Sequence, residues 1–253
     1  MTGNRRALLD RALRAARVRA FPPGQFIDQE SFMRAGEILE LARRAGVGPG
    51  SAVLDLCCGV AGPGRFITRE LGCSYLGADA SRPAIAVARG RAAGLSCRFR
   101  IARVPPLPRG RRDVVLLLET MLAFRDKAAL ISDIAGVLVE AGRFACTLEE
   151  GQPLDDRERA AMPESDTVWP VPLDEFTSML RQCGFRVTWQ QDQTASHRQV
   201  VDALIDAFTR SRRDIAAAIG ESTIDGLLAA HRMWSGWMAT GRIRKIALVA
   251  GRR

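Results

Sequence analysis

The chain is poor in lysine and histidine. Lys127 and Lys245 are the only lysines, and His197 and His231 the only histidines. The net charge of +9 is therefore almost wholly arginine, and the arginines are scattered, with no lysine-rich or Arg-Gly tract. Such a surface attracts anions in general but lacks the concentrated run of a nucleic-acid arm. No run of eighteen apolar residues occurs, so no membrane span is expected. The six cysteines contain no C-x-x-C pair. That spacing argues against zinc or another metal, and the pattern suits a reducing cytoplasm better than a secreted disulfide framework. Two phosphate-binding signatures are missing as well. Neither G-x-G-x-x-G nor a glycine-lysine-serine/threonine ending is present.

What is present centres on Ala52 to Phe66, AVLDLCCGVAGPGRF. Apolar residues run into Asp55, small residues follow, and a helix begins near Pro63. This reads as a buried strand, a close-approach turn and a helix N-terminus. Gly59, Ala61, Gly62 and Gly64 leave room for a ligand against the backbone. The first N–H groups of the helix favour a negatively charged group there. A second acid, Asp79, ends the apolar run SYLGAD, a predicted second strand. An acid at that place accepts hydrogen bonds from ribose hydroxyls. The alternative is a helix cap, since Ser81 and Pro83 follow.

VLDLCCGVAGPG resembles the first motif of the class I S-adenosylmethionine-dependent methyltransferases, whose usual form is hydrophobic-hydrophobic-Asp/Glu-x-Gly-x-Gly-x-Gly. The resemblance spans Gly24 to Glu150. It implies S-adenosylmethionine as cofactor. Asp55, Cys57, Gly59, Ala61 and Gly64 would lie toward its methionine part, and Asp79 with Ala80 toward its ribose. Cys57 and Ala61 each replace a glycine of the family pattern. The family's acid that contacts the adenine amino group falls at Arg103 here, and arginine accepts no hydrogen bond. Either backbone groups read the adenine or the correspondence shifts by a residue or two. The resemblance also implies an α/β fold with a doubly wound, mostly parallel seven-stranded sheet.

The rest of the chain fits that frame. RRALLDRALRAARVRA carries an apolar stripe at Leu8, Leu9, Leu13 and Ala16 and predicts an amphipathic helix over the cofactor. Its Arg-rich face also resembles a transit peptide, against which its lack of serine weighs. FPPGQFIDQESF is a linker in which Phe21, Phe26, Gln29 and Phe32 either close over the cofactor or pack the helix. A helix is expected over Glu30–Ala45. Strands are expected at Cys97–Ala102, at Asp113–Leu118 and in AGRFACTLEE, with a helix at Asp126–Val139. This alternation implies right-handed parallel crossovers. Gln152–Pro172 reads as a long loop beside the site. Three helical patterns, Ser196–Ser211, Arg213–Ile219 and Ser222–Thr240, intervene before a last strand at Ile243–Ala250. They suggest a helical substrate cap over residues 193–240. Residues 1–45 then form N-terminal helices or a lid, and 46–192 with 241–253 the cofactor-binding core.

Methyl transfer needs an oriented nucleophile and, for some acceptors, a proton acceptor. His197 and His231, both in the expected cap, are candidates, and so is Glu119 at the end of a central strand, where side chains face the crevice. Neutral amines need only positioning. The expected acceptor is a small molecule reacting at O, N or C. LETML stands where nucleic-acid adenine methylating enzymes of the family carry Asn/Asp-Pro-Pro-aromatic, which argues against them. RNA methylation, a non-methylating cyclisation or rearrangement beside bound cofactor, and simple binding remain the alternatives. Homodimerisation is left open.

Overall fold

The computed structural model describes residues 11–162 and 168–252. Seven strands form one sheet: β1 (Ala52–Leu56), β2 (Ser74–Asp79), β3 (Cys97–Ile101), β4 (Arg112–Leu117), β5 (Leu138–Glu150), β6 (Phe185–Asp192) and β7 (Arg244–Arg252). Their order is β3-β2-β1-β4-β5-β7-β6. All pairs are parallel except β7, which runs antiparallel to β5 and β6. The chain reverses its direction of travel across the sheet between β1 and β4, so a crevice opens at their carboxyl ends.

Side-chain alternation in β1 divides the core. Leu54 and Leu56 join one apolar layer with Leu130, Ile131 and Ile134 of α5 (Lys127–Val137) and Phe176 and Leu180 of α7 (Leu173–Gln182). Val53 joins the opposite layer with Ile38 and Leu41 of α2 (Ala35–Arg44), Ile67 of α3 (Gly62–Leu71) and Ala88 of α4 (Arg82–Arg91). Both faces of the sheet are thus covered, as near-continuous apolar parallel strands require.

A third apolar cluster lies apart from the sheet. Leu13 and Ala16 of α1 (Arg11–Ala20) pack with Val200, Leu204 and Phe208 of α8 (Thr194–Arg210), Ile215 of α9 (Arg212–Ile219) and Ile224 and Leu228 of α10 (Glu221–Ala239). The expected amphipathic helix is present but rests on the late helices; its Leu8 and Leu9 lie outside the described residues. The expected helix over Glu30–Ala45 begins only at Ala35. Before it the chain turns back on itself, with Asp28 at φ 66°. Gln29 holds that bend by donating to the carbonyls of Gln25 (2.9 Å) and Met33 (2.8 Å) while accepting from Ile27 N (2.6 Å). The long loop after β5 contains a short helix, α6 (Asp156–Ala160). No described helix is long and apolar enough to cross a membrane.

Candidate functional site

The turn after β1 is left-handed at three points: Cys57 (φ 59°), Gly59 (φ 55°) and Ala61 (φ 54°). A side chain there costs roughly 1–2 kcal/mol, so Cys57 and Ala61 occupy glycine-preferring positions at some strain. Of Gly59, Gly62 and Gly64, only Gly59 would take a Cβ without a clash, meeting the Glu30 carboxyl group at an ordinary contact distance of 3.7 Å. Gly64 has a different task from the one expected. A Cβ on it would lie 2.0 Å from the Tyr75 ring, so its bare backbone makes room for Tyr75 and faces no ligand.

Tyr75 in turn donates to Asp55 Oδ2 at 2.6 Å. Burial, with the charge of Asp79 adding to it, raises the Asp55 carboxyl to about 7. Asp79 fastens the turn to β2: Oδ2 accepts from Gly59 N (3.0 Å) and Oδ1 from Ser81 N (2.7 Å). Capping of α4 falls to Ser81, whose Oγ accepts from Ala84 N at 3.3 Å. Asp79 is therefore not the cap, and its carboxylate stands at the cleft wall.

That cleft has a volume of about 240 Å³ and is open to solvent. Five carboxylates line it, those of Asp28, Glu30, Asp55, Asp79 and Glu119, and among its lining residues there is no Lys, Arg or His. Asp28 is neutralised from outside by Arg14 (2.7 Å), Arg91 (3.0 Å) and Arg65 (3.2 Å). Inside a protein of net charge +9, an acid-lined cleft repels pyrophosphate and attracts cations and hydroxyl donors.

Of the residues singled out in the sequence, Gln29, Asp55, Cys57, Gly59, Asp79 and Glu119 line the cleft, whereas Ala61, Gly64, Ala80 and Arg103 do not. Gln29 is 2% exposed and spends its amide on the loop. Ala61 is buried in the layer against β1. Arg103 is exposed beyond the end of β3. Asp28 and Glu30 escaped notice because the segment reads as a linker running into a helix, and the bend that delivers them is set by the Gln29 amide.

Beside the cleft lies a buried polar cluster. Lys245 Nζ donates to Glu149 Oε1 (2.6 Å) and to Glu119 Oε2 (2.9 Å) and packs over the rings of Trp234 (5.3 Å) and Phe32 (5.5 Å). Although burial opposes its charge, the two carboxylates hold Lys245 protonated. His197 stands 3.7 Å from Glu119 Oε1 through Nδ1 and 3.7 Å from Glu37 Oε2 through Nε2. Its ring is fully buried, and burial lowers its pKa to about 3. Glu37 also accepts from Ser196 Oγ and from Arg34 N, joining the start of α2 to the first turn of α8. Lys245 and Gln193 gave no sequence signal of a site; strand pairing sets Lys245 beside Glu149 at the end of β5.

His231 is separate from this cluster. Its Nδ1 bonds the Leu227 carbonyl within α10 (2.7 Å), and its ring packs edge-on against Phe208 (5.3 Å) and Phe32 (5.7 Å). Burial lowers its pKa to about 4. It holds the cap together and does not line the cleft.

Residues 53–142 match the sequence family described as "Methyltransferase domain". The chain is 23% identical over 205 residues to phosphoethanolamine N-methyltransferase 1 of Zea mays, covering 79% of this chain and only 40% of that protein. It is 26% identical over 231 residues to methyltransferase GfsG of Streptomyces halstedii, covering 86% of this chain and 81% of that one. Among solved structures, the cyclopropane synthase MmaA2 of Mycobacterium tuberculosis superposes with a TM-score of 0.82 at 13% identity, covering 99% of this chain and 97% of that one.

Proposed function

We propose that the protein is a class I S-adenosylmethionine-dependent methyltransferase that methylates a small molecule held between the sheet and the late helices; the match of residues 53–142 to the methyltransferase-domain family supports this. The observation that carries this reading is the acid-lined cleft at the β1–β4 switch point. S-adenosylmethionine is positively charged at sulfur and at its amino group and carries two ribose hydroxyls, all of which suit carboxylate neighbours. Bound there, it supplies an electrophilic methyl group.

The chain's own residues supply the rest. Asp79 holds the ribose hydroxyls, and its bonds to Gly59 N and Ser81 N fix its direction. Asp55 and the Cys57–Gly59 turn face the methionine portion. Glu119, at the crevice end of β4, takes a proton from the acceptor where one must leave. His197 is too weak a base at a pKa near 3 to be the stronger acceptor, and it orients the acceptor beside Glu119. The maize relative is named for a nitrogen acceptor of small size, which supports the small-molecule reading. No disulfide joins the described cysteines, which suits a reducing compartment such as the cytoplasm.

Calorimetric titration with S-adenosylmethionine and S-adenosylhomocysteine tests the proposal. Micromolar binding of both supports it, and binding of neither overturns it. Asp79→Asn should weaken both by about 1–3 kcal/mol, the cost of hydroxyls left without a charged acceptor. Formation of S-adenosylhomocysteine in the presence of acceptor separates methyl transfer from a rearrangement that leaves the cofactor intact.

A further inference from the structure

Buried polar groups are nearly always paired, and each exception calls for an explanation. Among the described residues, eleven buried side-chain atoms lack a hydrogen-bond partner. Six of them belong to four residues around the Lys245 pair: Glu119 Oε1, Glu149 Oε2, both amide atoms of Gln193, and both ring nitrogens of His197. The other five are four arginine Nε atoms and Ser31 Oγ. His197 and Gln193 are 0% and 3% exposed, so solvent does not reach them from outside. Gln193 is tied to the cluster through its backbone N, which donates to the Lys245 carbonyl at 2.8 Å.

The chemistry of these atoms is one-sided. Glu119 Oε1 and Glu149 Oε2 only accept, neutral imidazole accepts at one nitrogen, and the Gln193 oxygen accepts. Two carboxylates face one ammonium, so the group carries excess negative charge. Burial, with the charge of Glu119 adding to it, raises the pKa of Glu149 against the opposing pull of Lys245, the response of a carboxylate that lacks enough positive charge nearby. Phe32 and Trp234 already present ring faces to one ammonium, that of Lys245, and ring faces favour cations.

We infer that this cluster, which meets the cleft at Glu119, receives the methyl acceptor through a protonated primary amine, with Glu119 Oε1 and Glu149 Oε2 accepting its N–H bonds. This deepens the proposed function and rests on it. Lys245 is the positioning residue: it holds one oxygen of each carboxylate and leaves the other for the ligand. The ammonium gives one proton to Glu119 Oε1; that N–H bond breaks, its electron pair stays on nitrogen, and the neutral amine is then the nucleophile.

The test titrates the protein saturated with S-adenosylhomocysteine with n-hexylamine, 1-hexanol and hexanoate, which share a tail and differ in the head group. Hexylamine should bind about tenfold more tightly than hexanol, the worth of one charge-assisted hydrogen bond, and hexanoate should be the weakest. Glu149→Gln should bring hexylamine and hexanol within about threefold of each other without changing S-adenosylhomocysteine affinity, because Glu149 does not line the cleft. Equal binding of hexylamine and hexanol, no binding of hexylamine, or a preference for hexanoate overturns the inference even if Glu149→Gln fails to fold. A preference for hexylamine that survives Glu149→Gln overturns it too. Failure of S-adenosylhomocysteine itself to bind strikes instead at the methyltransferase reading.

Discussion

Three buried titratable groups set how stability follows pH. His197 and His231 are held neutral by burial, with pKa values near 3 and 4. A depressed histidine contributes stability that is complete above its unfolded value of about 6.5 and is lost as pH falls toward the folded value. Asp55 has the opposite sign. Raised to about 7, it contributes stability that is complete below about 4 and is lost as pH rises through 7. Between pH 6.5 and 4 two histidines lose stability as the pH falls while one carboxyl, Asp55, returns it, so the balance is a loss on acidification. Urea unfolding at pH 6.5 and 5.5 measures it. Asp55→Asn should roughly double the loss by removing the opposing group; an unchanged slope would show that Asp55 titrates normally. His197 was visible as a candidate in the sequence, but its protonation state was not, because burial decides it.

Strands and helices were largely legible as elements. The late helices fall at Thr194–Arg210, Arg212–Ile219 and Glu221–Ala239, within about two residues of the sequence reading, because apolar spacing and Gly220 mark their limits. The segment before α2 was not legible, since helix-compatible residues are bent there by the Gln29 amide. The turn after β1 shows how far a motif can mislead at one position. Gly64 belongs to the motif yet serves Tyr75. Gly64→Ala should therefore cost roughly 1–3 kcal/mol by overpacking, read as a lowered melting temperature. Gly64→Ala with Tyr75→Ala should recover part of the helix-packing loss; if the single variant melts like the parent, the Tyr75 ring has another place to go. By contrast, a Cβ on Gly59 would clash with nothing, and its substitution acts on the left-handed turn.

At the scale of the described molecule, the cleft is lined by carboxylates and by no basic side chain, although the chain is rich in arginine. The sign of the net charge therefore does not predict the charge of a cleft ligand, and a cation such as the proposed cofactor gains there where a phosphate would lose. S-adenosylmethionine should lose affinity relative to uncharged-sulfur S-adenosylhomocysteine as salt rises, by roughly two- to fivefold between about 0.02 and 0.5 M, since the Debye length falls below the cleft's dimensions. Calorimetry at the two salt concentrations decides it; a ratio that stays constant would mean that the cleft carboxylates are already neutralised. The sequence by itself determined the strand–turn–helix unit, Asp79 at the end of β2, the alternation that builds a doubly wound sheet and the helices before the last strand. All of these are local patterns of apolar spacing, small residues and caps. Only the tertiary structure decided that Glu119 and Lys245, 126 positions apart, share a hydrogen bond with Glu149 alongside, that His197 stands over them and that His231 does not. Those contacts depend on β7 inserting antiparallel between β5 and β6 and on α8 starting where β6 ends. Strand order across a sheet is a long-range choice, made by how faces pack, and no local period of the chain records it.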